Sequence, residues 1–222
     1  MGFPMAGHLA NAGYKVTVYN RTASKAEQWL EAYPGAANTS AIAKTPEEAA
    51  EGADIVFMCV GDDNDVREIG TRALSRMKSD AVLVDHTTAS ADIARELDAA
   101  CRKQKVHFLD APVSGGVSAA AGGTLTFMVG GDADAFDKAH GVLSAMGKKI
   151  VHAGGHGAGQ AAKICNNMLL GATMIATCES FQLAQKLGLD AQVFFDIASN
   201  ASGQTWSMTT YCPVKGLSLI HI

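Results

Sequence analysis

The alternation of short apolar runs with helical patterns is what most constrains this chain. "YKVTVYN" (residues 14–20), "DIVFMCV" (54–60), "DAVLVDH" (80–86), "VHFLDA" (106–111), "LTFMVGG" (125–131) and "KKIVHAG" (148–154) each read as a strand. Between them, "ASKAEQWLEAY", "DVREIGTRALSRM", "ADIARELDAACRKQ" and "DADAFDKAHGVLSAM" carry helical spacing. Strands apolar on both faces and separated by single helices predict an α/β fold: a doubly wound parallel sheet, covered on both sides, with right-handed crossovers. After Gly154 the pattern changes. "GQAAKICNNMLLGATMIATCESFQLAQKLG" reads as one helix of roughly thirty residues, and "DAQVFFDIASN" starts another, with Asp190 as its N-cap. A boundary near Ala153 therefore divides an α/β domain, residues 1–153, from the beginning of an all-helical one, residues 154–222.

The 222 residues are 48% hydrophobic and 18% charged, with a net charge of -4. No Lys/Arg cluster is dense enough for a nucleic acid or an anionic membrane, so neither partner is expected. The longest apolar stretch, Met168–Cys178, is too short to span a bilayer, and no basic region with an apolar core marks a signal peptide. The five cysteines are widely spaced without a C-x-x-C pair, and the apolar surroundings of Cys59, Cys165 and Cys178 predict burial. The compartment expected is the reducing cytoplasm. None of the seven histidines pairs with another ligand at metal-binding spacing on one helix, so no metal is expected.

Both ends read as cut. "MGFPMAGHLANAG" is an amphipathic helix with no strand before it, whereas a sheet of this kind normally begins with a central strand. The helical part stops after about two helices, too few to bury their apolar faces, and the final "LSLIHI" (217–222) reads as an artefact of assembly or cloning. A sheet lacking its central strand exposes unpaired edges. The expectation is a gene fragment with weak or no activity.

The ends of the strands suggest a nucleotide site. Gly2 stands where a dinucleotide fold places the last glycine of its first turn. At the end of the next strand, where a carboxylate would bind the ribose of NAD, stand Asn20, Arg21 and Thr22. An arginine and a hydroxyl suit a 2′-phosphate, which favours NADP over NAD; the other reading is an exposed arginine with Thr22 capping the next helix. Val60, Gly61, Asp65 and Thr88 follow at further strand ends as cofactor-binding candidates, beside plain helix caps at Asp62 and Ser90.

Two segments carry the chemistry. In "DAPVSGG" (110–116), Ser114, Gly115 and Gly116 offer a hydroxyl and unhindered amides for a carboxylate. In "GHGAGQAAKICNNM" (155–168), Lys163 is the one charge in an apolar helix, and Asn167 shares its face. A helix start and apolar company both lower an ammonium pKa toward general acid/base work. Gly157 and Gly159 would let backbone approach a cofactor or substrate. The plain alternative is a lysine snorkelling from a buried helix, with Asn167 as a core amide.

"MGFPMAGHL", "DAPVSGG" with "GTLTFMVGG", and "GHGAGQAAKICNN" together resemble the β-hydroxyacid dehydrogenases in order and spacing, up to about Lys215. That family includes 3-hydroxyisobutyrate dehydrogenase, tartronate semialdehyde reductase and the glyoxylate/succinic semialdehyde reductases. The resemblance implies a Rossmann-type NAD(P) domain, Lys163 as the catalytic lysine, and Ser114–Gly116 holding the substrate carboxylate. It also implies a small hydroxy-acid or semialdehyde substrate and, for the complete protein, a homodimer or homotetramer. "KICNNMLLGATMIATCESF" looks most like 3-hydroxyisobutyrate dehydrogenases, whereas "VYNRT" looks like the NADP-using semialdehyde reductases. The family's leading glycines and later helices are absent from this sequence. 6-Phosphogluconate dehydrogenase shares the architecture but typically has histidine-asparagine where this chain has Asn166-Asn167. Non-catalytic relatives that bind nucleotide and protein lose the lysine, which is present here.

Overall fold

The computed structural model describes residues 1–34 and 40–217; the "LSLIHI" run beyond Leu217 lies outside them. Two compact units emerge, Met1–Lys163 and a second beginning at Ile164.

The first unit opens with α1 (Gly2–Asn11), β1 (Thr17–Val18) and α2 (Ala23–Ala32). These are followed by β2 (Ala41–Ile42), α3 (Pro46–Ala50), β3 (Ile55–Met58), α4 (Asp63–Leu74), β4 (Val82–Asp85), α5 (Ala91–Lys103) and β5 (His107–Asp110). Then come β6 (Val113–Ser114), α6 (Gly116–Ala121), β7 (Leu125–Gly131), α7 (Ala133–Leu143), β8 (Gly147–Gly154) and α8 (Ala158–Lys186). The expected helices start where local chemistry puts them. Asp62 accepts from the amides of Asn64 and Asp65 to start α4, and Ser90 accepts from Ile93 to start α5.

The sheet is doubly wound, and its strands β3, β4 and β5 run parallel in order, as the sequence pattern requires. Two features differ from an all-parallel sheet. β7 runs antiparallel to β5 and to the two-residue β6, because the short β6–α6 link returns the chain along the same edge without a full crossover. β8 then restores parallel pairing on β7. The ladder is also divided: among the described residues β1 pairs with β2 alone, and β3 with β4 alone. The long expected strand at residues 14–20 shrinks accordingly to Thr17–Val18, a strand paired on one side.

The central strands are buried on both faces, β4 throughout, and successive side chains feed two apolar layers. Leu109, Val84, Phe127 and Val129 pack with Met5, Leu143 and Met146 on one side. Phe108, Leu83 and Met58 pack with Val66, Leu74 and Leu97 on the other. Helix α2 is held to α1 by Trp29, whose indole N–H donates to the carbonyl of Phe3 at 3.0 Å. His8 ties α1 to the end of α6 through the carbonyls of Ala120 and Ala121.

The second unit comprises most of α8 with α9 (Ala191–Ala198) and α10 (Trp206–Thr209). Asp190 caps α9 through the amides of Gln192 and Val193. Phe181, Ala198, Met208 and Cys212 form a small core, while Ile164, Met168, Leu169, Ile175 and Leu183 stay exposed along α8. The apolar face anticipated for this helix is present and uncovered. Apolar neighbours in sequence did not ensure burial of the cysteines: Cys101 and Cys212 are buried, but Cys59 and Cys165 are exposed. Among the described residues no helix is long and apolar enough to cross a membrane.

Leu109, fully buried at the centre of the sheet, gives a direct check on this core. Leu109→Ala should lower the unfolding free energy by about 3 kcal/mol, seen as an earlier urea midpoint at unchanged slope.

Candidate active site

The nucleotide end is assembled from strand ends. α1 begins at Gly2 behind Met1, which contributes no side-chain cap; the Gly2 amide donates to the Cys59 sulfur. At the end of β1, the Asn20 carboxamide oxygen accepts from the Thr22 amide at 2.9 Å. Thr22 occupies the N-cap position of α2, yet its hydroxyl makes no capping bond. The Arg21 guanidinium, 82% exposed, reaches Asp65 Oδ1 at 3.4 Å. A largely exposed ion pair of that length contributes little to stability, so arginine and hydroxyl both stay available to an anion.

The turn after β3 is more committed than the sequence suggests. The Gly61 amide donates to Asp65 Oδ2, and the Val60 amide donates to Thr87 Oγ1 at 3.0 Å. Val60 and Gly61 therefore cannot offer these N–H groups to a ligand while the bonds stand. Asp65 faces Arg21 and Gly61, and Thr88 is exposed beyond the end of β4.

At the chemical end, what reads as a glycine loop is structured. Ser114 ends β6, half-buried, and α6 starts at Gly116 without a side-chain cap. Gly115 and Gly116 have φ of 127° and 70°, a region that L side chains rarely adopt. A Cβ on Gly116 would meet nothing within 4 Å, so this turn presents open backbone.

The start of α8 is held by a group the sequence reading passed over. Asp110, fully buried at the end of β5, accepts from the amide of Gly157 at 2.8 Å and that of Gln160 at 2.9 Å. Gln160, also fully buried, donates from Nε2 to the Thr87 carbonyl at 2.7 Å and accepts at Oε1 from the Ala89 amide at 3.1 Å. The glycines here serve this packing. A Cβ on Gly159 would lie 2.4 Å from the carbonyl oxygens of Asp110 and Met128, so helix and sheet close directly on each other. Gly157 gives its amide to Asp110, and a Cβ there would lie 3.2 Å from the Ala91 carbonyl.

Lys163 follows Gln160 within the first turns of α8, half-buried, and Asn167 lies one turn further on, exposed. Burial alone draws the Lys163 pKa below its ordinary 10.5. The helix end, expected to assist, is occupied by the Asp110 carboxylate.

Two further buried titratable groups stand at the end of β4. Asp85 is register-paired with Asp110 and accepts from the Thr87 amide. Burial raises its pKa from 3.8 to about 6 against that hydrogen bond. His86 is wedged between Phe57, stacked at 5.4 Å, and Phe127, edge-on at 5.2 Å. Its Nδ1–H donates to the Ala111 carbonyl at 2.7 Å, and burial lowers its pKa to about 4.

Comparison with known proteins places the chain in a family. Residues 1–155 match the model of the NAD binding domain of 6-phosphogluconate dehydrogenase. Residues 157–217 match that of the NAD-binding domain of NADP-dependent 3-hydroxyisobutyrate dehydrogenase. The chain belongs to the β-hydroxyacid dehydrogenase family. A probable 3-hydroxyisobutyrate dehydrogenase of Mycobacterium tuberculosis is 41% identical over 216 residues, 97% of this chain and 71% of the relative. An NAD-dependent L-serine dehydrogenase of Pseudomonas aeruginosa is 40% identical over 220 residues, 98% of this chain and 72% of that one. A solved structure of the Mycobacterium tuberculosis 3-hydroxyisobutyrate dehydrogenase with L-serine superposes with a TM-score of 0.89 at 41% identity, covering 98% of this chain and 73% of that chain. This β-hydroxyacid dehydrogenase is accordingly a nicotinamide-dependent hydroxyacid dehydrogenase of Rossmann-type fold.

Asp85 and His86 titrate in opposition. Asp85, raised in the folded state, favours folding fully below about pH 4, a contribution lost as pH rises through about 6. His86, lowered in the folded state, favours folding above about pH 6.5, a contribution lost as pH falls through about 4. Asp85→Asn keeps the acceptor for Thr87 and removes the first term. The variant should gain on the order of 2 kcal/mol at neutral pH. Its thermal midpoint should fall steadily as acid is added across that interval, whereas the unaltered chain changes less.

Proposed function

We propose that this dehydrogenase interconverts a small β-hydroxy acid and its semialdehyde with NADP(H), 3-hydroxyisobutyrate and methylmalonate semialdehyde foremost, and that Lys163 moves the proton. The observation that carries this reading is the half-buried, uncompensated amine of Lys163. Burial draws its pKa down, and among the described residues it forms no salt bridge. Burial shifts such a lysine toward the range in which an amine can both give and take a proton, as a general acid/base requires.

The residues present fit a phosphorylated dinucleotide. The uncapped start of α1 at Gly2 suits a phosphate, and Arg21 with the free Thr22 hydroxyl suits a further phosphate on the ribose. When bound, the nicotinamide supplies or takes up hydride. The protein's part is placement and proton transfer. Ser114 and the amides of Gly115 and Gly116 would hold the substrate carboxylate, α6 having no side-chain cap of its own to compete. Asn167, one turn beyond Lys163, would hydrogen-bond the substrate. Lys163 as the free amine would accept the hydroxyl proton in oxidation, and as ammonium would donate it to the carbonyl oxygen in reduction. The exposed apolar face of α8 supports assembly into a homodimer or homotetramer.

A second reading is oxidation of L-serine, itself a β-hydroxy acid carrying an amine. It is favoured by the relative named for that activity and by the solved structure with L-serine. Reduction of tartronate or succinic semialdehyde, or of glyoxylate, remains the alternative that "VYNRT" supports.

Turnover of these acids and semialdehydes with both cofactors decides among the substrates. Lys163→Ala should reduce kcat by about 100-fold or more with nucleotide affinity retained, as read by nicotinamide fluorescence. Oxidation by the unaltered protein should rise with pH along one limb, centred below an ordinary lysine's pKa, and reduction should fall along the same limb. Turnover undiminished by the substitution would refute the role. Arg21→Ala should weaken NADPH on the order of tenfold and leave NADH nearly unchanged; equal losses for both would refute the NADP preference.

A further inference from the structure

We propose that Gln160 is a positioning residue, a side-chain clamp that fixes the height of Lys163 above the turn following β4. This rests on the catalytic reading of Lys163. Gln160 is held at three points: its amide on Asp110, and the two ends of its carboxamide on the Thr87 carbonyl and the Ala89 amide. Those partners flank Thr88, an exposed residue and one of the cofactor-binding candidates. Lys163 lies three residues further along the same helix, so both project from one side of α8. The side chain thus acts as one rung of a ladder between the lysine-bearing helix and the turn beneath the cofactor.

The chemistry of the rung is specific to glutamine. It must donate to a carbonyl and accept from an amide, both from a fully buried position. Asparagine has the groups but lacks a methylene of reach. Glutamate has the reach but, ionised, no donor, and leucine or methionine would fill the volume while leaving the Thr87 carbonyl and Ala89 amide unpaired. Simple burial on an apolar helix calls for no amide here; a fixed register does. Asp110 acts behind the clamp by anchoring the first turn, with the Gly157 and Gln160 amides on separate oxygens.

The test compares Gln160→Met and Gln160→Glu with the unaltered full chain and with Lys163→Ala. Two quantities are measured: steady-state kinetics, and the titration of Lys163 followed by NMR after isotope-labelled reductive methylation, without cofactor. A loosened clamp moves the amine relative to the reacting carbon, and a displacement of that kind costs on the order of tenfold to 100-fold in rate. Gln160→Met should therefore lower kcat by that factor with KM little changed, and move the lysine titration up toward an ordinary lysine as water enters. Gln160→Glu should lose less and recover, relative to the unaltered protein at the same pH, as pH is lowered, because the protonated carboxyl restores a donor to the Thr87 carbonyl. If both variants keep kcat and the lysine titration and lose only thermal stability, Gln160 is structural and the proposal is overturned. Should Gln160→Met fail to fold, the ratio of Gln160→Glu kcat to that of the unaltered protein decides: a ratio that rises in acid supports the clamp, and a ratio constant with pH overturns it. Should Lys163→Ala retain turnover, the catalytic reading fails; the lysine titration in the glutamine variants still decides whether the clamp sets its environment.

Discussion

A carboxylate at the mouth of a helix organises this site. Asp110 ends β5 on the buried side of the sheet, and its two oxygens take the Gly157 and Gln160 amides at the start of α8. An ionised group in an apolar interior is costly unless its lone pairs are met. Here they are met by the helix that must be placed. Burial still raises the Asp110 pKa, and the hydrogen bonds oppose that rise. Everything at the chemical end depends on this junction: the approach of Gly159 to the strand carbonyls, the reach of Gln160 to the turn after β4, and the depth of Lys163.

The parts legible in the sequence were those set by local chemistry. Helix starts at Asp62, Ser90 and Asp190 follow from a side-chain oxygen meeting amides two or three residues on. The strand cores and the long α8 follow from apolar periodicity. What the sequence concealed was set by partners far along the chain. β6 exists because Val113 and Ser114 pair with Phe127 and Thr126, so a Ser-Gly-Gly turn became a strand end and a helix start. Gln160 reads as an ordinary helical residue, because its partners at Thr87 and Ala89 lie 73 and 71 residues away. The glycines at 157 and 159 were legible as close-approach positions but not for what they approach. Only the fold shows that strand carbonyls and the Asp110 carboxylate lie against Gly159, and the Ala91 carbonyl against Gly157.

The nucleotide end has the opposite character. Its arginine and hydroxyl are exposed and little committed, and the one partner, Asp65, also serves the Gly61 amide. A mobile arginine opposite a carboxylate can exchange that partner for a phosphate at small cost, since the exposed pair contributes little. The junction at Asp110 and Gln160 is buried and bonded, whereas Arg21 is largely exposed. Proton transfer fails when a group is displaced by about an ångström, whereas a phosphate is recognised by charge over a wider range of geometry.

The Lys163 pKa lies below its ordinary value, and burial is the one cause of that shift. The Asp110 carboxylate is met by the partial positive charge of the α8 start, of order half an elementary charge, and by its two hydrogen bonds from the Gly157 and Gln160 amides. The site therefore tunes its lysine by depth rather than by a neighbouring charge. Depth is set by the fit of helix to sheet at Gly159 and by the hydrogen bonds of Gln160 to the turn after β4.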